Sequence, residues 1–287
     1  MSILVTGAGG QLGMEWVKFL GRMGLEHHAM TSKDLDITNS GAVDLTLNRV
    51  KPEVVVNCAA YTDVDGAESD VEKALRVNRN GVGHLAEWCA GNSIPIIHYS
   101  TDYVFPGRKT DLVTYPDGYP EDGETDPVNR YGESKRAGEE LLFEAGAPYL
   151  LIRVSWLCGE FGNNFVKTML KLGNERDRIQ VVKDQIGSPT YAASVVKLSH
   201  QLLQQGHKGI YHITSGGMIS WYDFASEIFR MAGVNTVVEP VSTSEYPVKA
   251  PRPAFSKLDS SKISSTLSIQ MEEWDEGLTE LMNKLNA

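Results

Sequence analysis

Cysteine is scarce in this chain, and what there is does not cluster. Cys58, Cys89 and Cys158 are odd in number, far apart and without a CxxC pair, which excludes a disulfide framework and a thiolate metal cage. They read as reduced thiols of a cytoplasmic protein. Positive charge is also in short supply: 27 Lys and Arg against 37 Asp and Glu give a formal charge of -10. Nucleic-acid affinity comes largely from Lys and Arg displacing counterions from phosphates, so no nucleic-acid partner is expected, and any phosphate-bearing ligand must be held locally. No apolar run approaches the roughly 18 to 20 residues of a membrane span. The first strand opens at residue 2 or 3, leaving no room for a secretion leader. The expectation is a cytoplasmic protein with no membrane partner.

What is present is an ordinary globular composition, 41% hydrophobic and 22% charged over 287 residues, enough for one or two domains with a proper core. Short apolar runs at Ile3 to Val5, Glu53 to Val56, Ile94 to His98 and Tyr149 to Ile152 read as buried strands. Between them, helical patterns run over Gln11 to Met23, Ser40 to Val50, Asp70 to Ala90 and Val128 to Ala145. That alternation predicts an α/β fold of Rossmann type, a doubly wound parallel sheet covered on both faces. Residues 1–155 form mainly a dinucleotide-binding domain on this reading, and 156–287 mainly a smaller substrate-binding lobe interleaved with it. Helices are expected there at Gly162 to Leu172, Tyr191 to Gln205, Ser220 to Met231 and Glu272 to Leu285. The stretch Pro106 to Pro127 breaks the rhythm and reads as a long surface loop, either a mobile lid or a solvated excursion without a role.

Gly7, Gly10 and Gly13 form GxxGxxG directly after a strand and at the opening of a helix, with Gln11 and Leu12 between the last two. Glycine permits the tight turn and lets backbone amides approach a pyrophosphate, while the helix N-terminus supplies partial positive charge. The cofactor choice is carried by the second strand, near His27 to Met30. It ends in Thr31-Ser32-Lys33, with Asp34 and Asp36 only later, where an NAD-type site has a carboxylate. Thr31, Lys33 and Asp36 are the adenosine-side candidates. NADPH is favoured over NADH, and an ordinary surface lysine is the alternative reading of Lys33.

Tyr131 and Lys135 stand four apart in a helix that Asp126-Pro127 would open, so they share one face. A free Tyr titrates near pH 10, and a neighbouring ammonium is expected to bring the phenol closer to working pH, as a general acid requires. Thr101 lies in Ile96 to Phe105, where an apolar strand ends in hydroxyls and polar groups at the carboxyl edge where ligands of open α/β folds gather, and it can donate to the reacting oxygen. Local backbone capping is its alternative role.

Together these residues resemble the extended short-chain dehydrogenase/reductase family, and within it the enzymes that reduce the C4 ketone of dTDP-4-dehydro-β-L-rhamnose. The matching segments are Val5 to Gly13, Asn57 to Asp65, Ser100 to Phe105, Tyr131 to Lys135, Arg153 to Trp156, Asn163 to Phe165, Asp184 to Thr190 and Arg252 to Leu258. The resemblance implies a nucleotide-sugar substrate, a role in dTDP-rhamnose and cell-surface polysaccharide synthesis, and a catalytic triad of Thr101, Tyr131 and Lys135. It places Asn57, Ala59 and Ala60 near the nicotinamide half of the cofactor and Thr62, Val64, Tyr103 and Trp156 on the sugar. Asn164, Lys167 and Arg252 are candidates for the nucleotide, each with a purely structural role as its other reading, helix capping in the case of Asn164; core packing is the other reading of Trp156. Some family members are described as magnesium-linked dimers. Glu15 supplies one carboxylate here, but Tyr191-Ala-Ala-Ser194 supplies none, so no metal is expected and a homodimer stays open.

Two rival readings share the fold. A 4,6-dehydratase needs an Asp-Glu pair after the active-site threonine, where this chain has Asp102-Tyr103, whereas an epimerase would show no net cofactor consumption. A non-catalytic regulatory subunit, of the kind the resembling β subunit of methionine adenosyltransferase suggests, would have no use for Thr101, Tyr131 and Lys135 together.

Overall fold

The computed structural model describes residues 1–285. Its centre is a six-stranded, wholly parallel sheet. Strands β1 (Ile3–Thr6), β2 (His27–Met30), β3 (Val54–Asn57), β4 (Ile96–Thr101) and β5 (Tyr149–Val154) are joined by a sixth, Gly209–His212, in the order β2-β1-β3-β4-β5-Gly209–His212. Parallel strands bury both faces, which is why they read as continuous apolar runs. Ile3, Val5, Val54, Val56 and Ile97 face a core completed by helix α1 (Gln11–Arg22) and helix Ala192–Gln204. Leu4, Val55 and Ile96 face the other core, closed by helix α2 (Ser40–Val50) and helix Gly81–Asn92. Strand order reverses between β1 and β3, so a crevice opens at their carboxyl ends.

A third core, with Val166, Met169, Ile179, Phe224, Ile228, Leu278 and Leu281, gathers helices Phe165–Glu175, Trp221–Ala232 and Trp274–Leu285 over short two-stranded ladders. Between its parts the chain returns to the first lobe: helix Ala192–Gln204, strand Gly209–His212 and Ile263 all pack with the main sheet.

The structure departs from the expected elements in three places. The continuous helix expected over Asp70 to Ala90 is broken into Val71–Leu75, a π-helical turn at Arg76–Asn80 and Gly81–Asn92, with a further short helix, Val64–Ser69, before it. The wide turn directs Asn78 inward, where its amide donates to the Ser134 hydroxyl (2.9 Å) and the Tyr61 carbonyl (3.0 Å) and accepts from the Tyr61 N–H (2.8 Å). Such single-turn bulges mark functional regions, and this one grips helix Arg130–Ala145. Secondly, that helix is capped by Asn129, not Asp126: the Asn129 side chain accepts from Gly132 N (2.8 Å) and donates to Pro251 O (2.8 Å), while Asp126 pairs with Arg108 on the surface.

Thirdly, Pro106 to Pro127 is neither a solvated excursion nor an unanchored lid. Tyr119 is 1% exposed, stacks on Phe105 at 4.5 Å and packs with Phe255 and Leu258. Tyr119 also exchanges backbone bonds with Lys257 and Asp259. Beneath it Arg153, 3% exposed, makes a two-pronged bond to Glu139 (3.0 and 2.7 Å) and donates to the Glu121 carbonyl (3.1 Å). The backbone N–H of His212 donates to the Glu121 carboxyl (3.0 Å).

Candidate active site

The glycine turn sits at the sheet's switch point. Gly7 has φ +62, a left-handed conformation only glycine adopts freely, and a Cβ there would collide with the Ala59 backbone; on Gly13 it would strike the Gly7 carbonyl. Gly10 caps α1 with no side-chain acceptor, so the first N–H groups of that helix face outward without an intrahelical partner. A dinucleotide pyrophosphate fits this cradle: bare amides, a helix N-terminus and no Cβ in the way. Thr31 lies against the turn, its Cγ2 3.7 Å from where a Cβ of Gly9 would be. β2 ends at Met30 without a carboxylate; Asp34 is engaged by the Thr31 amide (2.9 Å) and hydroxyl (2.6 Å), Asp36 by Thr38 (2.9 and 2.8 Å), and Lys33 is exposed.

A cavity of about 570 Å³ runs from this turn to the end of β4. Gly10, Gln11 and Leu12 line one end and Thr101, Tyr131 and Lys135 the other, with Cys58, Ala60, Thr62, Val64, Tyr103 and Trp156 along its sides. Gly7, Gly13 and Asn57 are not among its lining residues; Asn57 is 1% exposed and bonded to Thr6, Ala59 and His98.

The titrating groups differ from the expected balance. Lys135 is 2% exposed and its amine donates to the Tyr99 carbonyl at 2.6 Å; burial draws its pKa down to about 8, against the charge of Glu139. The Tyr131 phenol is pushed up, not down, by burial and then by the Asp102 carboxylate, with the Thr101 hydroxyl opposing them. The expected drop does not occur because the amine is turned to the Tyr99 carbonyl of β4 and desolvation outweighs the stabilisation of a phenolate. Tyr131 is thereby a proton-bearing group at neutral pH.

Asp102 was given no role by the sequence and is prominent here. It is 3% exposed, its Oδ1 accepts from the Thr101 hydroxyl at 2.8 Å, and burial raises its carboxyl to about 7. Its position beside Thr101 was the available signal. The Thr101 oxygen in turn accepts from Tyr103 N at 3.2 Å, so both capping and a place at the cavity belong to this threonine.

Trp156 adopts a left-handed φ of +45, a strained conformation for a bulky residue. Its indole stacks on Trp221 at 3.4 Å and 8°, and donates to Ser256 Oγ at 3.0 Å. Trp156 borders the first cavity and Trp221 a second, of about 650 Å³, lined by Phe165, Arg176, Arg178, Asp65 and Arg252. One ring of the stacked pair thus borders each space. Arg252 is held by Asp65 across the lobes at 3.0 Å. Asn164 and Lys167 line neither cavity. Asn164 caps helix Phe165–Glu175 and donates to Gln11 Oε1 and Gly159 O (both 2.8 Å), while Lys167 bonds the carbonyls of Glu160 and Gly162. Glu15 is buried, its carboxyl pushed up by burial, with Lys18, Lys284, Glu160 and Arg22 as the charges around it.

The family model described as the RmlD substrate binding domain matches residues 1–287. A dTDP-4-dehydrorhamnose reductase of Aggregatibacter actinomycetemcomitans is 43% identical, covering 96% of both chains. The spore coat polysaccharide biosynthesis protein SpsK of Bacillus subtilis (strain 168) is 41% identical, over 99% of this chain and 98% of that one. The crystal structure of a dTDP-4-dehydrorhamnose reductase from Bacillus anthracis str. Ames in complex with NADP superposes with a TM-score of 0.94, at 38% identity and 99% coverage of each chain.

Proposed function

We propose that this chain, which belongs to the RmlD family, reduces the C4 ketone of dTDP-4-dehydro-β-L-rhamnose to dTDP-β-L-rhamnose with NADPH. The observation that carries the reading is that one cavity is lined at once by the helix-opening residues Gly10, Gln11 and Leu12 and by Thr101, Tyr131 and Lys135. A dinucleotide and a ketone meet only if both ends belong to the same space.

Bound reduced nicotinamide supplies the hydride. Tyr131, kept protonated by its surroundings, gives its proton to the alkoxide forming at O4. Thr101 orients the carbonyl oxygen; once Asp102 is protonated it no longer needs the threonine's proton, and that hydroxyl is released to donate towards the substrate. Lys135 keeps one N–H on Tyr99 and has the others for the cofactor ribose. Ala60 and Asn57 shape the nicotinamide end, the latter through Ala59, while Thr62, Val64, Tyr103 and Trp156 bound the sugar.

The second cavity suits the nucleotide half of the substrate. Arg176, Arg178 and Arg252 offer charge for a diphosphate, and Phe165 and Trp221 offer flat faces for a base. Asn164 and Lys167 act indirectly, by fixing Gln11 and the turn at 159–162. On the adenosine side, a strand end without a carboxylate and with Lys33 nearby favours the 2'-phosphate of NADPH. Among the described residues no helix is long and apolar enough to cross a membrane, and we place the enzyme in the cytoplasm, supplying rhamnose for surface polysaccharide.

The deciding experiment mixes purified protein, NADPH and enzymatically generated dTDP-4-dehydro-β-L-rhamnose and follows cofactor absorbance. Steady loss in the wild type, abolished in Tyr131→Phe with cofactor binding retained, is expected. No loss with fresh substrate would favour a non-catalytic role, and sugar conversion without net loss would favour an epimerase.

A further inference from the structure

Beneath the floor of the first cavity runs a buried chain of hydrogen bonds that the reduction as written does not use. Thr6 Oγ1 donates to Asn57 Oδ1 at 2.6 Å, and the Ala59 backbone N–H donates to the same oxygen at 3.2 Å. Asn57 Nδ2 lies 3.0 Å from His98 Nδ1, and His98 Nε2 lies 3.5 Å from the amine of Lys135. Asn57, His98 and Lys135 are 1%, 0% and 2% exposed, so solvent does not rearrange these bonds.

The chain has a direction. A backbone N–H can only donate, so the Asn57 atom facing Ala59 is its carbonyl oxygen and the atom facing His98 is its amide nitrogen, a donor. His98 Nδ1 must therefore accept. Burial and then the charge of Lys135 hold the imidazole pKa well below its ordinary value, so the ring is neutral and carries its one proton on Nε2, towards Lys135. An ammonium has only donors and gains nothing from an opposing N–H, whereas a neutral amine has a lone pair to receive it. The bond from Lys135 to the Tyr99 carbonyl, 2.6 Å, serves both forms.

We propose that His98, locked by Asn57 as the Nε2–H tautomer, is a positioning residue that sets the charge state of Lys135 and thereby the pH range of the reduction. The inference rests on the ketoreductase reading above, in which Lys135 serves the cofactor ribose as an ammonium. The other titratable groups acting on Lys135 are Glu139, one turn along its own helix, and Cys58, just beyond β3; both favour the ammonium. Burial opposes it and draws the amine down to about 8, so that it loses its charge just above neutrality; the His98 N–H, 3.5 Å away, opposes it through the direction of its bond.

The test uses the full-length protein labelled with ¹⁵N and ¹³C, without substrate, so it stands apart from whether the ketone is the true substrate. The His98 ring nitrogens are expected to show a proton on Nε2 and none on Nδ1 in the wild type. In Asn57→Ala the constraint is gone: the proton moves to Nδ1, Nε2 accepts from the ammonium, and the Lys135 ¹³Cε titration midpoint rises by about one pH unit. With substrate, the alkaline step of kcat/KM that follows Lys135, above the earlier one set by Asp102, moves up by the same amount, a change that loss of packing alone would not produce. A wild-type proton on Nδ1 overturns the proposal whatever the variant does, and so does an unchanged Lys135 midpoint in a folded variant. Loss of turnover on the keto sugar with the tautomer as stated would instead count against the substrate assignment.

Discussion

Asp102→Asn separates a buried acid from an ordinary one. Asp102 is 3% exposed, and among the described residues its Oδ2 is buried with no hydrogen-bond partner. Burial lifts the carboxyl from its ordinary 3.8 to about 7. Because the folded value lies above the unfolded one, the protonated form is favoured by folding. That contribution is complete below about pH 4 and is lost as pH rises through 7. At about 1.4 kcal/mol per tenfold change, the span between the two values corresponds to about 4 kcal/mol. For a chain of this length that is a difference of about 7 °C in apparent Tm. Asn keeps the shape and a hydrogen bond to Thr101 but cannot ionise, so its melting temperature should lack this dependence. Thermal melts of both proteins from pH 4.5 to 8 measure the difference directly: the wild type should lose ground to the variant across the interval and level off above pH 8. A difference that stays constant with pH would refute the claim that this carboxyl resists ionisation. The same release of the Thr101 hydroxyl predicts that kcat/KM of the wild type falls above pH 7 by a step absent from Asp102→Asn.

Two further outcomes follow from the ion pairs. Arg153→Met strands the buried Glu139 carboxylate, 2% exposed, and should cost about 3 to 5 kcal/mol in urea unfolding, most of it recovered when Glu139→Leu is added. Asp65→Asn should free Arg252 and raise KM for the nucleotide sugar roughly two- to five-fold with kcat little changed, as steady-state kinetics would read.

The parallel sheet was legible because doubly buried strands leave uninterrupted apolar runs such as Val54 to Val56. The cofactor turn was legible because only glycine tolerates the contacts at Gly7 and Gly13, and Tyr131 and Lys135 because helical spacing alone aligns them. Other features depended on partners distant in sequence. Tyr119 belongs to a small core with Phe255 and Leu258, so its segment, polar and aperiodic by itself, reads as a loop. The π-helical turn answers to the Asn78–Ser134 bond, and Asn129 displaces Asp126 as cap because it can also reach Pro251. The lift on Asp102 and on Tyr131 comes from burial, which spacing does not report. Trp156 gave no sign of its left-handed backbone or of its stack on Trp221, a partner distant in sequence.

That indole pair ties two kinds of recognition into one object. Each ring presents one face to its neighbour and borders a different room, so on the proposed assignment of base and sugar a change at Trp221 also moves Trp156. On that assignment, preferences for the two halves of the substrate change only as a couple. Engineering a new donor from this scaffold calls for paired libraries at 156 and 221, in which single changes fare worse than matched ones.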